Sequence, residues 1–263
     1  MKLTKKLTIM LSSATIMTTL FTGCSTKDVE PVRTETAEEA INLFNEYNKS
    51  NDIENMVSLY SNVYLDSVGY TSGTVVKLLK NNRKDIEITK SETESIEAID
   101  ENTEMAVVNM AFKEKDEETA YTYNYALVKE ENGWAVSPDG VIGCTNIESK
   151  EIEKNKLNLN LTKAIELVDG YILRVDVANT TSSAYSFGGE GNLCEVKVET
   201  TEGAFTTVME DDVKVDKKVN SYFMARFDSL EGDITKVTVS NIYDVKDDAV
   251  VAGSGRDIII YEK

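Results

Sequence analysis

The sequence predicts an α+β domain, helices first and antiparallel strands after, followed by a domain built almost wholly of strands. Three observations carry this. Apolar residues recur at helical spacing from Thr36 to Asn82, and they alternate from Asp85 to Val136. Beyond Leu157, short alternating runs are separated by Gly, Asn and Asp turns with no helical period. A chain of 263 residues has room for two domains of ordinary size, and the pattern changes near Lys150.

Ahead of both domains, Lys2, Lys5 and Lys6 precede an apolar stretch from Leu7 to Leu20. A positive head, a core too short and too rich in Thr and Ser to span a bilayer, and small residues before a cysteine describe a secretory signal. The run Phe21-Thr22-Gly23-Cys24 resembles the lipobox of bacterial lipoproteins, with Phe21 where such signals usually carry Leu. The resemblance implies cleavage after Gly23, at residues 1–23, and a diacylglyceryl lipid on Cys24. It also implies attachment to a cell membrane on the side facing away from the cytoplasm. No cofactor is expected beyond that covalent lipid. Residues 24–34 read as a disordered, lipidated tether; Ser25 to Arg33 reach roughly 30 Å when extended.

The chain carries 46 acidic and 28 basic residues, a net charge of −18. Losing the signal removes three lysines and no acid. Such a surface repels phosphate backbones and anionic lipid headgroups, so the composition argues against nucleic-acid binding and leaves the lipid as the membrane attachment.

In the first domain, Thr36 and Glu39 have the spacing of a capping box, followed by Ala37, Ala40, Ile41, Phe44 and Tyr47 on one face. Asp52 caps a second helix that presents Ile53, Met56, Val57 and Tyr60. Thr71 or Thr74 begins a third, with Val75, Leu78 and Leu79 inward and Asn81-Asn82 at its end. Strands then follow over Asp85 to Ile99, Glu104 to Lys113 and Thr119 to Lys129, the last placing Tyr121, Tyr123 and Tyr125 on one face. Glu114 to Glu118 forms the tip between two of them, Trp134 to Val136 returns, and Pro138-Asp139-Gly140 stops the run.

Helices before long antiparallel strands that end in ALVKEENGWAV make residues 35–140 resemble nuclear-transport-factor-2-like and related cystatin-like domains. The resemblance implies an α+β cone, a curved sheet wrapped around helices with a pocket at its open end. It brings no catalytic motif. Residues 141–155 read as a linker. In residues 156–263, the strand candidates are Leu157 to Leu161, Ala164 to Val168, Tyr171 to Ala178, Leu193 to Glu199, Ala204 to Met209, Val219 to Phe227, Ile234 to Val245 and Asp257 to Glu262. This spacing argues for an antiparallel sandwich, and in architecture it resembles the immunoglobulin-like modules of bacterial surface proteins, without the Cys-Trp-Cys pattern of antibody domains.

The chain contains no histidine. That removes Ser-His-Asp and Cys-His catalysis, histidine-ligated zinc and the histidine general base together. Isomerases and dehydratases of the cone family work with Asp, His or Tyr, so an Asp-Tyr pair is the catalytic route left. No pairing in the sequence points to it, and the chain is expected not to be an enzyme. Tyr47, Tyr60, Tyr121, Tyr123, Tyr125 and Trp134, with Tyr64 and Tyr70, suit the lining of a small-molecule pocket. The same rings also suit cross-strand packing. Cys144 and Cys194 read either as a disulfide or as two separate thiols. Two acidic clusters, Glu210-Asp211-Asp212 with Asp216 and Asp244 with Asp247-Asp248, offer oxygen ligands for Ca²⁺ but lack EF-hand spacing, and no metal site is assigned. The run SFGGEGN from Ser186 to Asn192 precedes a strand, so it reads as a flexible loop rather than a phosphate cradle. The expected role is non-catalytic binding or scaffolding at the cell envelope, with the membrane as one partner and an envelope protein or small molecule as the other. The alternatives are a carrier or sensor using the cone pocket, and an isomerase or dehydratase using Asp and Tyr.

Overall fold

The computed structural model describes residues 27–115, 117–209 and 213–263. The signal, Cys24 and Glu210-Asp211-Asp212 lie outside these residues. The described residues are rich in β-structure, with four α-helices among them near the start and several antiparallel sheets after these. No described helix is long and apolar enough to cross a membrane. The chain divides into two compact units. One holds residues 27–144 with Glu166–Val168, and the other holds Thr145–Ile165 and Asp169–Lys263.

The first unit opens with α1 (Ala37–Lys49), α2 (Ile53–Ser58), α3 (Asn62–Val68) and α4 (Ser72–Asn82). Thr36, Asp52, Ser61 and Thr71 cap their N-termini, each side chain accepting from a backbone N–H three residues on. The Glu39 carboxylate reaches back to the N–H of Glu35 at 3.2 Å, one residue beyond the N-cap N–H of a standard capping box. Gly69, at φ 70, ends α3 in the left-handed conformation that a side chain resists. The buried face of α4 is Val75, Val76 and Leu79; Leu78, expected inward, is only half-buried.

Four strands follow as an antiparallel meander: β1 (Ile86–Ala98), β2 (Thr103–Glu114), β3 (Glu117–Glu130) and β4 (Gly133–Ser137). Ala37, Ile41 and Phe44 of α1 join Ala106, Val108, Leu127 and Val136 of the sheet in one apolar core. Phe44, Ile41 and Met56 are fully buried, each contributing about 1.5–3 kcal/mol. Two bulges in β1, at Thr89 and Glu94, move the core-facing position from even to odd residues and back. That is why Ser91 and Thr93 face α1, between Ile88 and Ile96.

The stretch read as a disordered tether is held against this unit from Asp28 onward, which corrects that expectation. The Asp28 carboxylate accepts from the N–H of Gly73 at 3.2 Å, Val29 N–H donates to Ser72 Oγ at 2.9 Å, and Val32 N–H donates to the Ser58 carbonyl at 2.9 Å. Arg33 pairs with Glu130 at 2.7 Å, and Thr34 exchanges backbone hydrogen bonds with Trp134. Polar side chains suggested solvation, but these bonds are made largely by the backbone, which composition does not report.

Pro138–Gly140 forms a single 3-10 turn, and β5 (Val141–Asn146) follows inside the stretch read as a linker. Then come β6 (Leu157–Leu167), β7 (Gly170–Asn179), β8 (Ala184–Phe187), β9 (Glu195–Thr200), β10 (Ala204–Val208), β11 (Val213–Val215), β12 (Asn220–Phe227), β13 (Ile234–Lys246), β14 (Ala249–Val250) and β15 (Arg256–Glu262). Leu157 to Leu167 is one strand rather than two. One sheet runs β12-β7-β6-β5; the other runs β10-β9-β13-β8-β11, with β14 and β15 also on β13. Leu161, Leu173, Val175 and Phe223 from the first share a core with Phe187, Val196, Val198, Val239 and Ile242 from the second. This common core stabilises both sheets by removing one face of each from water.

Candidate functional site

Strand alternation places Tyr121, Tyr123, Tyr125 and Leu127 of β3 on the helix-facing side of the sheet. Small and β-branched partners lie opposite, Ala106 to Tyr125 and Val108 to Tyr123, leaving room for rings. The rings then continue from sheet to helix. Centroids are 6.1 Å apart for Tyr121–Tyr123, 6.3 Å for Tyr123–Tyr125, 5.0 Å for Tyr125–Phe44, 6.3 Å for Phe44–Tyr60 and 5.3 Å for Tyr60–Tyr64. Phe112 lies 6.3 Å from both Tyr121 and Tyr123. The series starts at Tyr121, 37 % exposed, and runs inward to Tyr125 and Tyr60, at 8 % and 6 %.

A polar chain crosses the same interior. Arg83, the C-cap of α4, is 9 % exposed and donates from Nη1 to Asn48 Oδ1 at 2.7 Å, with Met56 Sδ at 3.8 Å. Asn48 Nδ2 donates to Ser91 Oγ at 3.0 Å, Ser91 donates to Asn45 Oδ1 at 2.7 Å, and Asn45 Nδ2 donates to Thr93 Oγ1 at 2.8 Å. Tyr125 donates its hydroxyl to Met110 Sδ at 3.4 Å. Burial makes such a network costly unless its members are satisfied.

Burial also sets the tyrosine ionisation. It pushes the Tyr60 hydroxyl up to about 12, against the opposing pull of the Arg83 charge, with Asp139 adding to the rise. Tyr64 and Tyr125 are pushed well above their ordinary value of 10.0, again by burial first, with the Asp139 carboxylate contributing to both. Tyr123 is raised for the same leading reason. At neutral pH these groups keep their protons, so they can hydrogen-bond a ligand but cannot act as bases.

Of the six candidate pocket residues, Tyr60, Tyr121, Tyr123 and Tyr125 come together in the ring series. Tyr47 packs half-buried against the core, and Trp134 is buried in the closing hairpin with Lys129 Nζ 6.0 Å from its ring. Sequence reasoning missed Arg83 and the Asn45–Asn48 pair. The available signal was the position of both asparagines on the same α1 stripe as Ile41 and Phe44. An open groove of about 360 Å³ also runs along α1, lined by Thr36, Glu38, Glu39, Asn42, Leu43 and Glu46, and it shares no residue with the ring series.

Of the candidate disulfide pair, Cys144 is half-buried and Cys194 is fully enclosed by the apolar core of the second unit. Asp244 pairs with Arg256 at 3.0 Å, while Lys214 bridges Asp216 and Asp248 at 3.5 and 2.6 Å, so cations neutralise these acids. Among the described residues, no group of three or more His, Cys, Asp and Glu side chains is placed to hold a metal. In the Gly-rich loop, Gly188, Gly189, Glu190 and Gly191 all have positive φ, and Gly189 pairs with Asn192. Ser186 and Phe187 belong to β8. No protein-family model matches the chain, and no curated protein matches it.

Proposed function

We propose that the chain is a lipid-anchored protein of the cell envelope with a non-catalytic binding role, and that its first unit is the binding module. On this reading the first unit is a nuclear-transport-factor-2-like cone and the second an immunoglobulin-like sandwich. Helices packed on a four-stranded meander that closes on Trp134, and two sheets on a shared core, support those assignments. The anchor rests on the lipobox-like Phe21-Thr22-Gly23-Cys24.

The observation that carries the binding role is the ring series from exposed Tyr121 to buried Tyr60, with Arg83 alongside. Rings give apolar area, and hydroxyls and a guanidinium give orientation, which is the mix small-molecule sites use. An isomerase- or dehydratase-type site has one observation behind it, the Asp139 charge acting on Tyr60, Tyr64 and Tyr125. The upward shift of those hydroxyls favours hydrogen bonding over proton abstraction by tyrosine.

Native mass spectrometry of the protein purified from its own membranes tests both parts. The expected spectrum shows a chain starting at Cys24 with acyl mass added, carrying a small molecule lost on denaturation. A chain without acyl mass would sink the anchor. A lipidated chain with no retained molecule would shift the binding role to protein partners.

A further inference from the structure

One end of the second unit departs from the charge of the chain. Asn179, 1 % exposed at the close of β7, and Thr180 after it fasten two loops together there. Asn179 Nδ2 donates to the Asp216 carbonyl at 2.9 Å, and its backbone N–H donates to the Val219 carbonyl at 2.9 Å. The Thr180 hydroxyl donates to the Glu153 carbonyl at 3.0 Å and accepts from the Lys156 N–H at 3.1 Å. Residues 152–156 and 216–219 are thereby held as neighbours. The turn after β13 joins them, since Val245 pairs with Ala184 and Lys214 reaches Asp248 at 2.6 Å. The lysines at this end, Lys154, Lys156, Lys214, Lys217, Lys218 and Lys246, outnumber the acids Glu153, Asp216, Asp247 and Asp248. Lys156 neutralises Glu153, and Lys214 bridges Asp216 and Asp248. Among the described residues, Lys154, Lys217 and Lys218 meet no carboxylate, and all three are exposed. Ile152, on the same loop as Lys154, is 51 % exposed. On a chain of net charge −18, cations in excess around an exposed apolar side chain reverse the average surface.

We propose that this end of the second unit docks on the anionic headgroups of a phospholipid bilayer, with Lys154, Lys217 and Lys218 against phosphates and Ile152 entering the interface. A lysine near an anionic leaflet is drawn to it, each contributing about fivefold in partitioning. Lysine suits a fluid surface because its ammonium is a mobile point charge that needs no fixed partner geometry. Ile152 is what favours a bilayer over a soluble polyanion: the interface takes up an apolar side chain, and a polymer of phosphates does not. Repulsion from the rest of the acidic surface is screened beyond about 8 Å at physiological salt, so the local excess of cations decides contact. This inference rests on the lipid anchor proposed for Cys24, which keeps the chain beside a bilayer and so supplies the encounter that the overall charge opposes.

The test is amine footprinting of the chain purified from its own membranes and reconstituted in nanodiscs, either of phosphatidylcholine alone or with about one-third phosphatidylglycerol. Mass spectrometry reads the acylation rate of each lysine, with Lys263, at the opposite end of β13 from Lys246, as the internal control. Lys154, Lys217 and Lys218 are expected to react at least about threefold more slowly on the anionic discs, and about 0.5 M NaCl should restore their rates. Lys217→Glu together with Lys218→Glu should remove the protection of Lys154, and Ile152→Ser should reduce it; all three side chains are exposed, so the fold is kept. Equal rates on both discs, with the chain retained on both, would overturn the docking surface and leave the anchor. Slowing on both discs alike would overturn the choice of an anionic headgroup. Inorganic polyphosphate that slows the three lysines where phosphatidylglycerol does not would assign the surface to a soluble polyanion instead. A chain shed from phosphatidylcholine discs but held on anionic ones, with the three lysines protected, would remove the anchor and keep the surface; shed from both, it would overturn both.

Discussion

Burying Tyr60 and Tyr125 makes the first unit vulnerable to base. An unfolded tyrosine titrates near 10.0, whereas folded Tyr60 holds its proton to about 12. The folded state therefore binds more protons in that interval, and stability, complete below pH 10, falls as pH rises through 12. Each such tyrosine removes up to about 1.4 kcal/mol per pH unit there. Thermal melts are expected to be level through neutral pH and to drop steeply above pH 10. Tyr60→Phe should make the drop shallower. A melting temperature that stays level from pH 10 to pH 12 would show that these hydroxyls are solvated.

At the scale of elements, the join between the N-terminal strap and the closing hairpin depends on Gly133. Its φ is 128, and a Cβ there would lie 2.3 Å from the Thr34 carbonyl oxygen. Gly133→Ala should cost about 2–4 kcal/mol, combining backbone strain with displacement of the strap. Amide exchange at Thr34 and Trp134 should rise more than at α1, and an unchanged pattern would show that the strap does not need the hairpin. The capped helices and the meander were legible because caps and periodicity act locally: Thr36, Asp52 and Thr71 announce α1, α2 and α4. The helix α3 was not, since among its residues only Ser67 is buried and no apolar stripe marks it. The face change along β1 was hidden because bulges at Thr89 and Glu94 break a period that sequence reading assumes. The short strands β8 and β11 pair with each other and, through β8, with β13, so their evidence is non-local. The site divides the same way. Three tyrosines at period two were visible, but Arg83 looked like a residue of the turn after Asn81-Asn82, and only the packing of α4 against α2 turns it inward.

For the molecule as a whole, the two compact units do not divide the sequence at a single point. Glu166–Val168 belongs with the first unit, where Val168 N–H donates to the Gly140 carbonyl at 2.8 Å. Val168 also fills the space beside Gly140, where an added Cβ would come within 2.8 Å. A chain ending after Asp169 should therefore retain more of the first unit's stability than one ending after Glu148. The expected difference is several degrees in Tm, on the order of 1–2 kcal/mol. Near-UV circular dichroism melts of the two fragments check it, and coincident melts would show that the first unit is complete without those three residues.

The strap has a mechanical consequence for a chain lipidated at Cys24. Since Asp28 is hydrogen-bonded to the first unit, the leash between acyl group and that anchored point is at most four residue steps, about 14 Å at full stretch. The lipid then acts as a short ruler instead of a long rope. It confines the Asp28–Ser72 corner of the first unit to the headgroup layer and limits how far the body can swing into the surrounding space.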